Sequence, residues 1–188
     1  MLTSYEPYAD DYIRYRSDIG VADVRAWGES LDPHSAILDL GCGHGLPLAA
    51  MLAGQGHRLF GIDVSPTLLG HYQKEVAGCQ VECSAILESG FFDRKFDAVL
   101  AWGLMFLMPE AEQLACFPRI ADATRAGGAF LFTAPSQACQ WQDLTSGQPS
   151  FSLGTDNYRA ALQRSGFELK AEFSGEGGNY YYDSIRLV

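Results

Sequence analysis

The chain alternates short apolar runs with stretches of helical periodicity. Residues 36–40 are apolar apart from Asp39, and further short runs occupy 57–62, 80–83, 96–101 and 129–134. Runs of this length, bounded by turn residues, read as strands of a parallel sheet buried on both faces. Helices are predicted between them. One covers 46–53 and is stopped by Gly54 and Gly56. A second covers 66–77, behind an N-capping Ser65 and a first-turn Pro66. A third covers 109–124 and is ended by Gly127 and Gly128. Residues 152–166 suggest one more helix. The runs 167–173 and 180–188 flank a Gly-rich turn and predict an antiparallel hairpin. Ahead of the first strand, Tyr8, Tyr12 and Tyr15 share one helix face, and 18–30 predict a helix with Val21, Val24 and Trp27 on one side. Residues 135–154 have little periodicity, and so long a loop reads as a lid or binding loop.

Composition narrows the classes. The 188 residues suffice for one domain with a sizeable core, and no internal repeat or linker interrupts them. The net charge is −10, and the densest basic cluster is the pair Arg94-Lys95. Contact with nucleic-acid backbones is therefore not expected. No apolar run approaches the ~20 residues of a membrane span. The first residues carry Glu6, Asp10 and Asp11 and do not resemble a secretion signal. Cysteines stand at 42, 79, 83, 116 and 139, an odd number without zinc spacing. They read as reduced thiols of a cytoplasmic protein that binds no metal.

The most informative stretch is Ile37-Leu38-Asp39-Leu40-Gly41-Cys42-Gly43-His44-Gly45. A dinucleotide fingerprint needs glycine one position later, where Leu46 stands. G-x-G-x-G behind an acidic residue resembles motif I of the class I S-adenosylmethionine-dependent methyltransferases, small-molecule type. The context repeats the resemblance. Gly61-Ile62-Asp63-Val64-Ser65 ends the second strand, with Asp63 placed to accept hydrogen bonds from two ribose hydroxyls. Glu82 to Ile86 is similar to the third motif, with Ser84 where the family often has aspartate. Phe96 to Gly103 is similar to motif IV.

The resemblance implies an α/β fold: a three-layer αβα sandwich on a doubly wound, mostly parallel, seven-stranded sheet. Its strand order is 3-2-1-4-5-7-6 with strand 7 antiparallel. One Rossmann-like domain, 1–188, would carry a helical cap over 1–33 and a lid over 135–154. S-adenosyl-L-methionine is the implied cofactor and S-adenosyl-L-homocysteine its product. The implied cofactor contacts are Arg16 at the carboxylate, then Asp39, Gly41, Cys42, Gly43 and Gly45 of the loop. Asp63 and Val64 follow at the ribose, Ser84, Ala85 and Ile86 at the adenine, and Trp102 at the methyl end. The acceptor is expected to be a small neutral or cationic molecule held by Tyr8, Trp102, Phe106, Trp141 and Tyr181. Trp102 and Trp141 follow the carboxyl ends of parallel strands, where open α/β sheets bind ligands. His44 is the candidate base; its alternative is a ring that is merely hydrogen-bonded. A monomer or homodimer without nucleic-acid or membrane partners is expected. Two alternatives stand beside this reading: a non-catalytic S-adenosylmethionine-binding module, and a nucleotide-dependent oxidoreductase of similar fold.

Overall fold

A computed structural model describes residues 5–187. In chain order the strands are β1 (Ala36–Leu40), β2 (Arg58–Asp63), β3 (Gln80–Cys83), β4 (Phe96–Ala101), β5 (Thr124–Thr133), β6 (Ala138–Gln142), β7 (Pro149–Leu153), β8 (Phe167–Ser174) and β9 (Tyr180–Arg186). The helices are α1 (Ala9–Tyr15), α2 (Val21–Glu29), α3 (Leu48–Gly54), α4 (Pro66–Glu75), α5 (Glu110–Ala123) and α6 (Thr155–Arg164). Seven strands form one sheet in the order β3-β2-β1-β4-β5-β9-β8. The first five are mutually parallel, and β9 lies antiparallel to both β5 and β8. This is the expected order; the labels differ only because β6 and β7 pair separately.

Period-two alternation sends the strand side chains to two helical layers. Ile37, Leu59, Leu100 and Leu131 pack with Val24 and Trp27 of α2, Leu48 and Leu52 of α3, and Tyr72 of α4. Leu38, Leu40, Val99, Phe130 and Phe132 pack with Phe117 and Ile120 of α5 and Tyr158 and Leu162 of α6. Both faces are thus covered, which is why β1 is buried along its whole length. Phe132 stacks on Tyr182 at 4.6 Å, tying β9 to β5. Each such aromatic contributes roughly 1.5–3 kcal/mol by burial.

Two boundaries differ from the sequence reading. Helix α5 stops at Ala123 rather than at the glycines. Thr124 turns extended (φ −96°, ψ 135°), and its hydroxyl donates to the Ile120 carbonyl over 2.6 Å, closing the last turn. Strand β5 begins there. Gly128 serves a close crossing instead, since a Cβ on it would lie 2.9 Å from the Asp97 carbonyl of β4. The second difference is the stretch 135–154, which is a β-hairpin and not an irregular loop. The Asp143 carboxylate accepts the Ser146 N–H at 2.7 Å and the Ser146 hydroxyl at 2.8 Å, and Asp143 N–H donates to the Gln148 carbonyl at 2.8 Å. This local Asx turn closes β6 on β7. Strand β6 is almost wholly exposed, so it carries no apolar alternation for sequence to reveal.

The N-terminal cap is fastened at both ends. The Glu6 carboxylate accepts the Thr67 N–H at 3.2 Å and its hydroxyl at 2.7 Å, and also the Ser65 hydroxyl, at the start of α4. Those hydroxyls hold Glu6 below the usual carboxylate pKa. At the far end, Gly20 N–H donates to Glu176 over 2.9 Å. Among the described residues no helix is long and apolar enough to cross a membrane.

Candidate functional site

A cavity of about 490 Å³ opens beyond the carboxyl ends of β1, β2 and β4, under α1 and the β6–β7 turn. It sits where the strand order reverses, the switch point that binds ligands in open α/β sheets. Its volume falls in the ~300–1,000 Å³ range of small-molecule sites.

The floor is the glycine loop. Gly41, Gly43 and Gly45 are all left-handed, at φ +62°, +56° and +85°. Each also lets a neighbour approach. A Cβ at Gly41 would lie 2.6 Å from Leu104, at Gly43 3.1 Å from Tyr12, and at Gly45 2.7 Å from Val76. The loop's N–H groups are turned inward. Cys42 N–H donates to the Ile62 carbonyl (3.0 Å), Gly43 N–H to Asp63 Oδ2 (2.9 Å) and Gly45 N–H to the Cys42 carbonyl (3.3 Å). All three N–H groups are engaged within the protein, so a pyrophosphate would find none of them. Asp63 Oδ1 accepts the Ser65 N–H at 2.9 Å, so this carboxylate locks the loop to the end of β2. Burial pushes its pKa up, against the pull of these backbone donors.

Of the sequence candidates, Arg16, Gly41, Gly43, Asp63, Val64, Ser84, Ile86, Trp102 and Phe106 line the cavity. The others do not. Asp39 is 6% exposed, points into the α2/α3/α4 layer and accepts the Tyr72 hydroxyl at 3.2 Å. Burial, with Asp63 adding repulsion, raises it to about 7 despite that hydrogen bond. Cys42 turns its sulfur toward Gly61, and Gly45 packs on Tyr72 and Val76. The Ala85 carbonyl closes a turn with the N–H groups of Glu88 and Ser89. His44 is buried off the cavity wall, edge-on to the Tyr12 ring at 5.6 Å. Burial, then the charge of Arg16, holds its imidazole below the usual pKa. Tyr8 stays off the wall. Tyr181 is fully buried, stacked on Phe173 at 4.9 Å. Trp141 lines a neighbouring cavity rather than this one.

Among the lining residues that sequence reasoning missed are Tyr12, Tyr5 and Asp143. Tyr12 covers Gly43, Tyr5 stands edge-on to Tyr12 at 5.5 Å, and Asp143 comes in from the hairpin turn. The spacing of Asp143 to Ser146 and Gly147 was the available signal for the last. Burial works against the Asp143 carboxylate, but Ser146 and the Tyr5 hydroxyl hold it below its ordinary pKa. The Arg16 guanidinium stacks on Trp102 at 4.4 Å, and Trp102 Nε1 donates to the Tyr181 hydroxyl at 3.0 Å. Asp11, Asp63 and Asp143 outnumber Arg16 on the wall, so the cavity favours a ligand with positive charge. Among the described residues no group of three or more His, Cys, Asp or Glu is placed to hold a metal ion.

A family model described as a methyltransferase domain matches residues 37–128, the span from β1 through the glycine loop to the start of β5. Among solved structures, the chain is similar to a putative methyltransferase of Haloferax volcanii in complex with the activator Trm112, at TM-score 0.79 and 16% identity over 98% of each chain. It is also similar to magnesium protoporphyrin IX methyltransferase from Synechocystis with bound S-adenosylmethionine, at TM-score 0.76 and 17% identity, covering 97% and 93% of the two chains. A third likeness is 1,6-didemethyltoxoflavin-N1-methyltransferase of Burkholderia thailandensis with S-adenosylhomocysteine, at TM-score 0.75 and 16% identity over 98% and 84%. At these identities the likeness establishes the fold. No curated protein matches the sequence.

Proposed function

We propose that this chain, a class I S-adenosylmethionine-dependent methyltransferase by its matched domain and its fold, methylates a small-molecule acceptor. The cofactor supplies a sulfonium methyl, which the acceptor's nucleophile takes by in-line displacement.

The observation that carries the reading is the pairing of Asp63 with Gly43 at the cavity floor. A carboxylate offers about four lone-pair sites, and two are used by Gly43 and Ser65. The remainder, on a residue that lines the cavity, suits two ribose hydroxyls. The inward-turned loop N–H groups suit a ligand without pyrophosphate, which weighs against the oxidoreductase alternative. The small face of Gly41 and the side chains of Val64, Ser84 and Ile86 would border the nucleoside. Arg16 would pair with the carboxylate of the amino-acid part, and its stack on Trp102 fixes it for that role. Trp102 and Phe106 would exclude water at the reacting end. Alignment and exclusion then supply the rate. With His44 off the wall, a base role for it finds no support, and no step is assigned to it.

A small, flat acceptor is supported by two of the fold relatives, whose substrates are magnesium protoporphyrin IX and 1,6-didemethyltoxoflavin. A reducing cytoplasm fits the five free cysteines. Mass spectrometry of the purified protein should find S-adenosylmethionine or S-adenosylhomocysteine bound, and calorimetry should detect titration by either. Absence of both signals would overturn the assignment.

A further inference from the structure

A second cavity, of about 350 Å³, lies beside the first at the carboxyl end of β5 and the amino end of β9. The partition between them is thin. Gly103, on the wall of the main cavity, donates its N–H over 2.8 Å to the hydroxyl of Thr133, on the wall of the second. Phe106 lines both. Trp141 of β6 lines only the second, its ring 5.4 Å from that of Phe106.

The two cavities differ in charge. The main one has Asp11, Arg16, Asp63 and Asp143 on its wall. Among the described residues lining the second, none is charged, although 19% of the chain is. Its polar groups are neutral, among them the amides of Gln137 and Asn179 and the hydroxyls of Thr133 and Tyr180. Trp102 has one ring face occupied by Arg16. Phe106, shared by both walls, and Trp141 beside it give the second cavity an aromatic side next to the main one.

We propose that the second cavity is the acceptor subsite and takes an uncharged, planar ring system, whose reacting atom reaches the main cavity past Phe106. The reading rests on the methyl-transfer assignment for the direction in which the acceptor must point. A charged ring substituent would give up part of its water against Phe106 and Trp141 and meet no counter-ion on this wall. Aromatic faces with a few neutral donors and acceptors instead favour a flat neutral ligand, oriented by the amides. This narrows the acceptor from neutral or cationic to neutral in its ring portion, and moves it from the Trp102 face to the Phe106–Trp141 side.

Cys139 supplies the test. It is exposed and lines the second cavity, so its alkylation reports occupancy. Iodoacetamide labelling, read by peptide mass spectrometry, is measured with 4-phenylphenol, biphenyl-4-carboxylate and 4-phenylbenzylammonium as probes. Cys83, exposed on β3, is the internal reference. At saturation the neutral probe should slow Cys139 about fivefold and the charged probes less than about twofold, with Cys83 unaffected throughout. Trp141→Ala should abolish the protection. Equal labelling with and without 4-phenylphenol overturns the proposal, as does equal protection by all three probes. Calorimetric titration with S-adenosylmethionine alone tests the underlying assignment separately: protection of Cys139 without cofactor binding would sink that assignment and leave the ring subsite standing.

Discussion

Asp39→Asn isolates the cost of one buried charge. The side chain is 6% exposed, and its hydrogen bond is the 3.2 Å contact from the Tyr72 hydroxyl. The groups facing it are Tyr72 on α4, Asp63 at the end of β2 and Cys42 in the loop; none is a cation. Its pKa rises from an ordinary 3.8 to about 7 on folding, first by burial and then by Asp63. The native state therefore keeps a proton that the unfolded chain releases. The stability this gives is complete below the unfolded pKa and is lost as pH rises through about 7. A shift of about 3 units at ~1.36 kcal/mol each bounds the whole effect near ~4 kcal/mol. Integrated between pH 5 and 8 it amounts to roughly 2–3 kcal/mol. Asparagine keeps the shape and can still accept from Tyr72, but does not ionise. Urea unfolding of the ligand-free protein at pH 5, 6, 7 and 8 should show the variant gaining on the wild type by that amount as pH rises. Parallel stability–pH curves would refute the argument, because they would mean that Asp39 is ionised at no cost.

Three further outcomes are expected. Asp63→Asn leaves the Gly43 and Ser65 N–H groups competing for one carbonyl oxygen, an unmet hydrogen bond of ~1–3 kcal/mol. It should lower the melting temperature and weaken S-adenosylmethionine binding tenfold or more; an unchanged dissociation constant by calorimetry would rule out the ribose role. Gly43→Ala puts a methyl 3.1 Å from the Tyr12 ring at φ +56°, with ~1–2 kcal/mol of backbone strain, so melting temperature and affinity should both drop. Wild-type affinity in that variant would show that the loop and Tyr12 do not shape the site. Trp102→Ala removes both the platform of Arg16 and the donor to Tyr181, and should reduce cofactor affinity and turnover together, whereas Trp141→Ala should reduce turnover alone. Equal cofactor affinities in the two variants would contradict that division.

The sequence by itself determined the seven strands of the main sheet, most helix positions and the glycine loop, because those signals are local. Apolar runs, Ser65 as a cap and glycines at positive φ act through neighbouring residues alone. Sequence also supplied the sheet order, through the motif resemblance. Only the tertiary structure decided which side chains share the cavity. Asp39 and Asp63 look alike in sequence, each acidic in or at the end of an apolar strand. Pairing of Asp39 with Gly61 in the β1–β2 register holds it in the sheet interior, while Asp63, one step past the end of β1, reaches the cavity. Tyr180, Tyr181 and Tyr182 alternate as a strand requires, but the two helical layers and the neighbouring strands decide their fates. Tyr181 stacks on Phe173, Tyr182 on Phe132, and Tyr180 is left at the second cavity. Strand β6 was invisible because an exposed strand buries nothing and needs no apolar pattern. It is nonetheless what carries Trp141 to Phe106, a contact between residues 35 positions apart (141 − 106) that no local rule encodes.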